Sequence, residues 1–374
     1  MIDWEHYRAL FPVVQDKTYF MTAGGGAIPT PVYEAIQERY WQVMQRGGDA
    51  FGENIEIMES CRESLAQLIN ADKENIAFIP NVSYGMNALA HSLVTQNKVL
   101  IPENDFPSTI IPWENVNAAI KFIPNNSDLQ KNIVEELRNQ FEDDSYLVTS
   151  SISYANGYQL DLDELAYNKG KTHFIINHTQ GIGVFPIDVK KHKIDALLCS
   201  AYKWMCCGEG ISFMYVNSNL FAKMKPALVG WRSLQQAMSF NGQKQYYNDA
   251  RIFELGWDNM TIFSGFKVAL ELLNEIGIQS IGSQVSSLSL YLIEALERQE
   301  IPLLTSKDKD HISGNVLIGP FANPNHMVEA LKKENIWVNA RGNGVRISLH
   351  FYNNFEDIEK LVTALKKILK LNNK

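Results

Sequence analysis

The sequence predicts an α/β protein: a large domain with a mostly parallel sheet, followed by a smaller α+β domain. Three observations predict it. Short apolar runs of strand length recur between turn residues, helix-like stretches separate several of them, and the pattern changes after about residue 250. Continuous apolar strands alternating with helices indicate a sheet covered on both faces.

The strand-like runs are 76–80, 98–102, 120–124, 146–154, 173–177, 196–201 and 211–216, each rich in Ile, Val, Leu, Phe or Tyr. Helices are expected over 84–93 and 128–141, between such runs. The run at 211–216 follows its predecessor through Cys207-Gly208-Glu209-Gly210. That turn is too short for a helical crossover, so this strand should be antiparallel to its neighbour. Beyond residue 250, helices are expected over 260–276 and 280–299, and short strands over 315–318 and 345–349. The chain then ends in an amphipathic helix with Ile358, Leu361, Val362, Leu365, Ile368 and Leu369 on one face. Spacing of i, i+3, i+4, i+7 marks that face as core packing. Residues 15–250 are expected to form the large domain, and 1–14 with 251–374 the small one.

Composition narrows the function. The 374 residues carry 34 Lys+Arg against 42 Asp+Glu, a net charge of −8, with 45 % apolar and 20 % charged residues. This acidic balance argues against a nucleic-acid partner, whose binders show basic patches. No apolar run reaches the roughly 18 residues of a membrane span, so no membrane partner is expected. The N-terminus Met1-Ile2-Asp3-Trp4-Glu5-His6 lacks the basic and apolar stretches of a signal peptide. A cytoplasmic enzyme is expected. Its four cysteines, Cys61, Cys199, Cys206 and Cys207, are too few and too clustered for a disulfide framework.

Four constellations could carry chemistry. In Ser200-Ala201-Tyr202-Lys203-Trp204, Lys203 follows an apolar strand and sits between two aromatic residues. Desolvation there would lower its pKa and supply the neutral amine that Schiff-base chemistry requires; the plainer alternative is a strand-end lysine reaching solvent. Asn177-His178-Thr179-Gln180-Gly181 places polar groups at the end of a buried strand, where α/β sheets bind ligands. Asn177 and Lys203 are about one strand-crossover-strand unit apart and could line one crevice. In Pro80-Asn81-Val82-Ser83-Tyr84-Gly85, Ser83 reads as a helix N-cap whose free N–H groups suit a phosphate. Arg341-Gly342-Asn343-Gly344-Val345-Arg346 offers guanidinium forks that match a carboxylate. Other motifs fail. Gly170-Lys171-Thr172 lacks the first glycine of a phosphate loop, and Leu165 stands there. Gly24-Gly25-Gly26 reads as a flexible entry loop, the histidines show no zinc spacing, and Cys206-Cys207 read as small buried residues.

Taken in order, these segments resemble the class V aminotransferase family of pyridoxal phosphate (PLP) enzymes, which includes cysteine desulfurases, selenocysteine lyases, isopenicillin N epimerase-like proteins and kynureninases. The likeness covers nearly the whole chain. It runs from Tyr19-Phe20-Met21-Thr22-Ala23-Gly24 through the Asn81–Asn87 and Asp105–Ser108 segments, then from Asn177 past Pro186-Ile187-Asp188-Val189 to Trp204. It ends at Phe253-Glu254-Leu255-Gly256 and the stretch from Arg346 to Asn353, and the block from Gln180 to Gly210 is the most specific. The resemblance implies PLP-dependent transferase fold type I with a seven-stranded sheet. It also implies that Lys203 carries PLP as a Schiff base and later shuttles the Cα proton of an amino-acid substrate held as an external aldimine. Val82, Ser83, Ser200 and Tyr202 would hold the phosphate, Phe106 would stack on the pyridine, and Gln180 would bond its phenolic oxygen. Arg346, with Arg341 as second candidate, would grip the substrate carboxylate, in a homodimer.

Three departures stand out. Asn177 occupies the place of the aspartate that the family sets against the pyridine nitrogen. Trp257 follows Gly256 where many members have a threonine reaching the partner's phosphate. No cysteine lies between Arg341 and Arg346, where desulfurases carry their sulfur acceptor. The resemblance therefore implies Cα deprotonation with aminotransferase-, epimerase- or lyase-type outcome and argues against cysteine desulfurase activity. Asn177 and Trp257 keep open a PLP-binding or cofactor-free pseudoenzyme with a regulatory role. Specificity is expected from loops 22–28 and 231–247.

Overall fold

The computed structural model describes residues 2–93, 97–126, 128–141, 143–239, 242, 244–257 and 259–372. Positions 240, 241 and 243 of the 231–247 loop thus lie outside the described residues. The seven strand-like runs form one seven-stranded sheet. Its spatial order is Ile76–Ile79, Ser212–Val216, Ala196–Ser200, His173–Asn177, Tyr146–Ser150, Lys98–Pro102 and Ala119–Ile123. Ser212–Val216 is antiparallel to both its neighbours and every other pairing is parallel. The short Cys207–Gly210 turn leaves that strand no other direction.

Ala196–Ser200 and Ser212–Val216 are buried at every residue, as expected for central strands covered on both sides. The edge strand Ala119–Ile123 is mostly exposed and carries Lys121, paired with Glu136 at 2.6 Å. A charged side chain on an open edge discourages pairing with another chain. The expected strand over 146–154 stops at Ser150. There the Ser150 N–H donates to Asp105 at 2.7 Å instead of to a ladder partner.

The chain order reverses between Lys98–Pro102 and Tyr146–Ser150. The strand after Lys98–Pro102 lies outward at the edge, whereas everything after Tyr146–Ser150 builds inward. Ligands in open α/β sheets bind at such a switch point, beyond the C-terminal ends of the strands.

The smaller part has a three-stranded antiparallel sheet ordered Asn339–Arg341, Gly344–Ser348, Asn315–Ile318. The C-terminal helix Phe355–Asn372 buries Ile358, Leu361, Val362, Leu365 and Ile368 in its core, with Leu369 partly buried against it. Near the N-terminus, Thr18–Tyr19 pairs in parallel with Ile336–Trp337. Helix Ile262–Ile276 follows the expected division near residue 250, yet its Phe263, Phe266 and Leu273 pack in the core of the large sheet. Within the single helix Ile278–Glu297, Val285 belongs to the first core and Leu288 to the second. We therefore propose that the two domains divide inside this helix. Among the described residues, no helix is long and apolar enough to cross a membrane.

Candidate active site

At the C-terminal ends of the parallel strands lies a cavity of about 220 Å³. The structure brings Val82, Ser83, Phe106, Asn177, Gln180, Ser200, Tyr202 and Lys203 together around it, with Asn81, Ser108, Ser150, Tyr154 and Thr179. Helix Val82–Ser92 points its N-terminus at the cavity. The expected cap was Ser83; the cap is Asn81, whose extended backbone lets its side chain accept from the Tyr84 N–H at 2.8 Å. Ser83 is already inside the helix, so its hydroxyl is free to face the cavity. The Val82 and Ser83 N–H groups have no carbonyl below them in the helix.

Lys203 is 8 % exposed. Its Nζ stands 5.4 Å from the centre of the Phe106 ring and 5.6 Å from that of Tyr202. Among the described residues no carboxylate pairs with it. Burial, followed by the charges of Arg346 and Arg341, lowers its pKa to about 8. Desolvation disfavours the ammonium, and two nearby guanidinium groups act in the same direction. The Phe106 ring is set by the preceding residue. Asp105 accepts from the Ser150 N–H at 2.7 Å and from the Ser150 hydroxyl at 2.6 Å, and also from the Phe106 N–H. This carboxylate ties the two strands of the switch point together.

Asn177 Nδ2 donates to Thr109 at 3.3 Å, and its Oδ1 accepts from the Thr179 N–H at 3.2 Å. One of its two amide hydrogens stays available. Gln180 accepts from the Trp204 indole at 2.9 Å and from Asn315 at 3.2 Å, while its Nε2 donates to the Ala23 carbonyl at 3.3 Å. Ser200 receives Ser212 Oγ at 3.3 Å.

Arg346 and Arg341 lie on the small-domain hairpin rather than in the cavity wall. Arg346 is 1 % exposed, and its Nη1 donates to the carbonyl of Tyr154, a cavity residue. Its Nε and Nη2 are buried without a partner, as is Nε of Arg341. Trp257 is remote from the cavity: its ring packs 4.4 Å from Phe51 and 5.6 Å from Trp231, under Arg232 at 4.8 Å. Gly24-Gly25-Gly26 is not a loose loop either, since the Gly26 N–H donates to Tyr202 O at 3.1 Å.

The donor set fits PLP. A helix N-terminus with hydroxyls suits a phosphate, an aromatic ring suits a pyridine face, and an unpaired, desolvated amine suits an aldehyde. Ser108 Oγ is also buried there without a partner. Sequence reasoning missed Tyr154 and Thr179 as cavity residues; Asn81 carried a readable signal, because it too is a cap-forming residue.

A family model described as Aminotransferase class-V matches residues 18–361. An uncharacterized aminotransferase of Bacillus subtilis is 27 % identical over 372 residues, covering 96 % of this chain and 97 % of its own. A probable cysteine desulfurase of Pyrococcus abyssi is 25 % identical over 394 residues, covering 98 % of each. The solved apo structure of a cysteine desulfurase from Thermococcus onnurineus shares the fold, with a TM-score of 0.88 at 22 % identity over 99 % of both chains.

The Lys203 amine should react as a group with a pKa near 8 rather than the ordinary 10.5. Uptake of PLP by the apoprotein, followed by stopped-flow absorbance, is expected to rise with pH and level off just above that value. Arg346→Gln removes a charge that favours the neutral amine, so its plateau should move to higher pH. A wild-type rate that keeps climbing as for an ordinary lysine would contradict the desolvated amine.

Proposed function

The chain belongs to the class V aminotransferase family of fold type I, and from that membership we propose a PLP enzyme that removes the Cα proton of an amino acid. The observation that carries this reading is the buried Lys203 amine, without an anionic partner among the described residues and facing the Phe106 ring. A cofactor-free regulatory protein would have no use for such an amine. When bound, PLP joins amino groups through its aldehyde and draws electrons from bonds at the Cα.

Each residue then has a task. The Val82 and Ser83 N–H groups, with the hydroxyls of Ser83, Ser200 and Tyr202, would bind the phosphate. Phe106 would cover one face of the ring, and the spare Nε2 hydrogen of Gln180 would serve its phenolic oxygen. Lys203 would hold the cofactor's aldehyde, and its Nζ would be the base for the proton at the Cα. Arg346 offers the parallel N–H groups of Nε and Nη2, the edge that matches a carboxylate. Asn177 would offer the pyridine nitrogen an amide hydrogen but no proton. The cofactor would then be a weaker electron sink, which favours epimerase- or lyase-like outcomes over transamination.

Sulfur transfer to an enzyme thiol fits poorly. All four cysteines are buried, and burial pushes the Cys61 thiol up to about 12 and raises Cys199, Cys206 and Cys207 as well. A thiolate is the reactive form, and none of these forms one readily.

The protein is further proposed to be a homodimer. Helix Thr30–Arg46 leaves Tyr33, Tyr40, Trp41 and Met44 exposed, the last two at 54 % and 69 %. Leu228, Val229 and Trp231 are exposed as well. Large apolar groups repeated along one helix face mark an association surface.

Purified protein should show a visible band bleached by borohydride, and Lys203→Ala should lack it; a band retained in that variant would sink the assignment. Asn177→Asp supplies a carboxylate, so it should shift the band and move products towards transamination. An unchanged spectrum and product ratio would remove Asn177 from the ring. Sedimentation should give a dimer, converted to monomer by Trp41→Glu with Met44→Glu; a wild-type monomer would contradict the interface.

A further inference from the structure

The hairpin that carries Arg346 also carries more unsatisfied polar groups than one carboxylate can use. Asn339 pairs across the sheet with Arg346, and Ser348 with Asn315. Cross-strand partners and alternate residues share a face, so Asn315, Asn339, Arg341, Arg346 and Ser348 lie on one side of this small sheet. All five carry a buried polar atom without a partner: Oδ1 of Asn315 and Asn339, Nε of Arg341, Nε and Nη2 of Arg346, and Oγ of Ser348. This side faces the cavity, because Asn315 Nδ2 reaches Gln180 Oε1 at 3.2 Å.

The charges do not balance with a simple amino acid. Among the described residues neither Arg341 nor Arg346 pairs with an Asp or Glu. Asp105, next to the cavity residue Phe106, is committed to Ser150 and Phe106. An α-carboxylate takes the Nε–Nη2 edge of Arg346, and its single negative charge is then paired. Arg341 is left as a second guanidinium with a buried N–H, beside a like charge and without an anion. Arg341 is only half-buried, yet its Nε–H has lost water without gaining a partner and its charge stands beside a second guanidinium, which is unfavourable. A ligand that brings the missing charge relieves both the desolvation and the repulsion.

We infer that the substrate is an amino acid with a second acidic group on its side chain, paired with Arg341 while Arg346 holds the α-carboxylate. Asn339 and Ser348 flank the same face and limit how that group can be placed. The inference rests on the PLP reading above and narrows its substrate class.

The test uses the holoenzyme. Aspartate and glutamate, each in both enantiomers, are titrated against asparagine and glutamine, their neutral near-isosteres. Binding is read from the change in the visible band and independently by titration calorimetry. The acidic member of at least one pair should bind about tenfold tighter or better, a difference of about 1.4 kcal/mol. Arg341→Gln should bring that ratio to within about threefold, whereas Arg341→Lys, which keeps the charge, should retain a preference for the acid. Equal binding of acid and amide by the wild-type protein would overturn the inference. So would a preference that survives in Arg341→Gln, because the second anion would then not depend on Arg341. A protein with no visible band and no heat with any amino acid would instead defeat the PLP reading itself, so the two failures are distinguishable.

Discussion

The site depends on holding one lysine in a dry place without a counter-ion, and Trp204 is what holds it. Three contacts on three sides fix that residue. Its indole N–H donates to Gln180 at 2.9 Å, its carbonyl meets His350 Nε2 at 2.9 Å, and its ring lies against Gly314. A Cβ at residue 314 would come within 2.7 Å of the ring. On the opposite side, a Cβ at Gly26 would fall 1.8 Å from the Lys203 carbonyl. The backbone of Lys203 is therefore clamped between chain segments that admit no side chain. Burial pulls the His350 pKa down to about 4, so its ring is neutral at ordinary pH and makes its contact without adding another charge beside the lysine.

This clamp spans both parts of the molecule. Gln180 follows the large sheet, whereas Gly314 and His350 adjoin the strands of the small one. The Lys203 turn is thus a point at which the two cores share atoms, and so is the helix Ile278–Glu297 that crosses from one core to the other. Fixing the lysine and fixing the small-domain arginines relative to it are one structural task. That is why Arg346 and Arg341 can act on the Lys203 amine through charge although neither lines its cavity.

Much of this was legible in the sequence, for a physical reason. Buried parallel strands read as unbroken apolar runs, and polar residues placed directly after them fall at the sheet's ligand-binding end. Lys203 and Asn177 share that position, and the aromatic Phe106 follows the strand Lys98–Pro102 at the same end of the sheet. The Ser83 cap failed because Asn81, two residues upstream, is an equally good cap and its extended backbone decided the matter. Tyr154 carries no local pattern, since it reaches the cavity only through long-range packing, whereas Thr179 lies in the polar segment after a buried strand without a distinct role of its own. A division inside Ile278–Glu297, as proposed above, has no readable boundary because this is one continuous helix whose apolar face runs from one core into the other. The glycine run at 24–26 looked loose because composition alone cannot distinguish freedom from close approach.

The placement of acid and amide then determines how the site can stabilise negative charge. A carboxylate is present near the ring position as Asp105, but burial raises its pKa and its oxygens are filled by Ser150 and Phe106. It cannot stand in for the one that Asn177 lacks. Asn177 in turn is fixed by Thr109 and the Thr179 N–H, so its amide is a positioned donor and not a mobile one. A neutral donor at the ring leaves less pull on the electrons released at the Cα, while two guanidinium groups remain on the substrate side. On the proposed PLP reading, stabilisation of that charge would shift away from the far end of the ring and towards the carboxylate end of the substrate. Such a site would favour returning the proton to the Cα, or expelling a leaving group from the neighbouring carbon, over transamination.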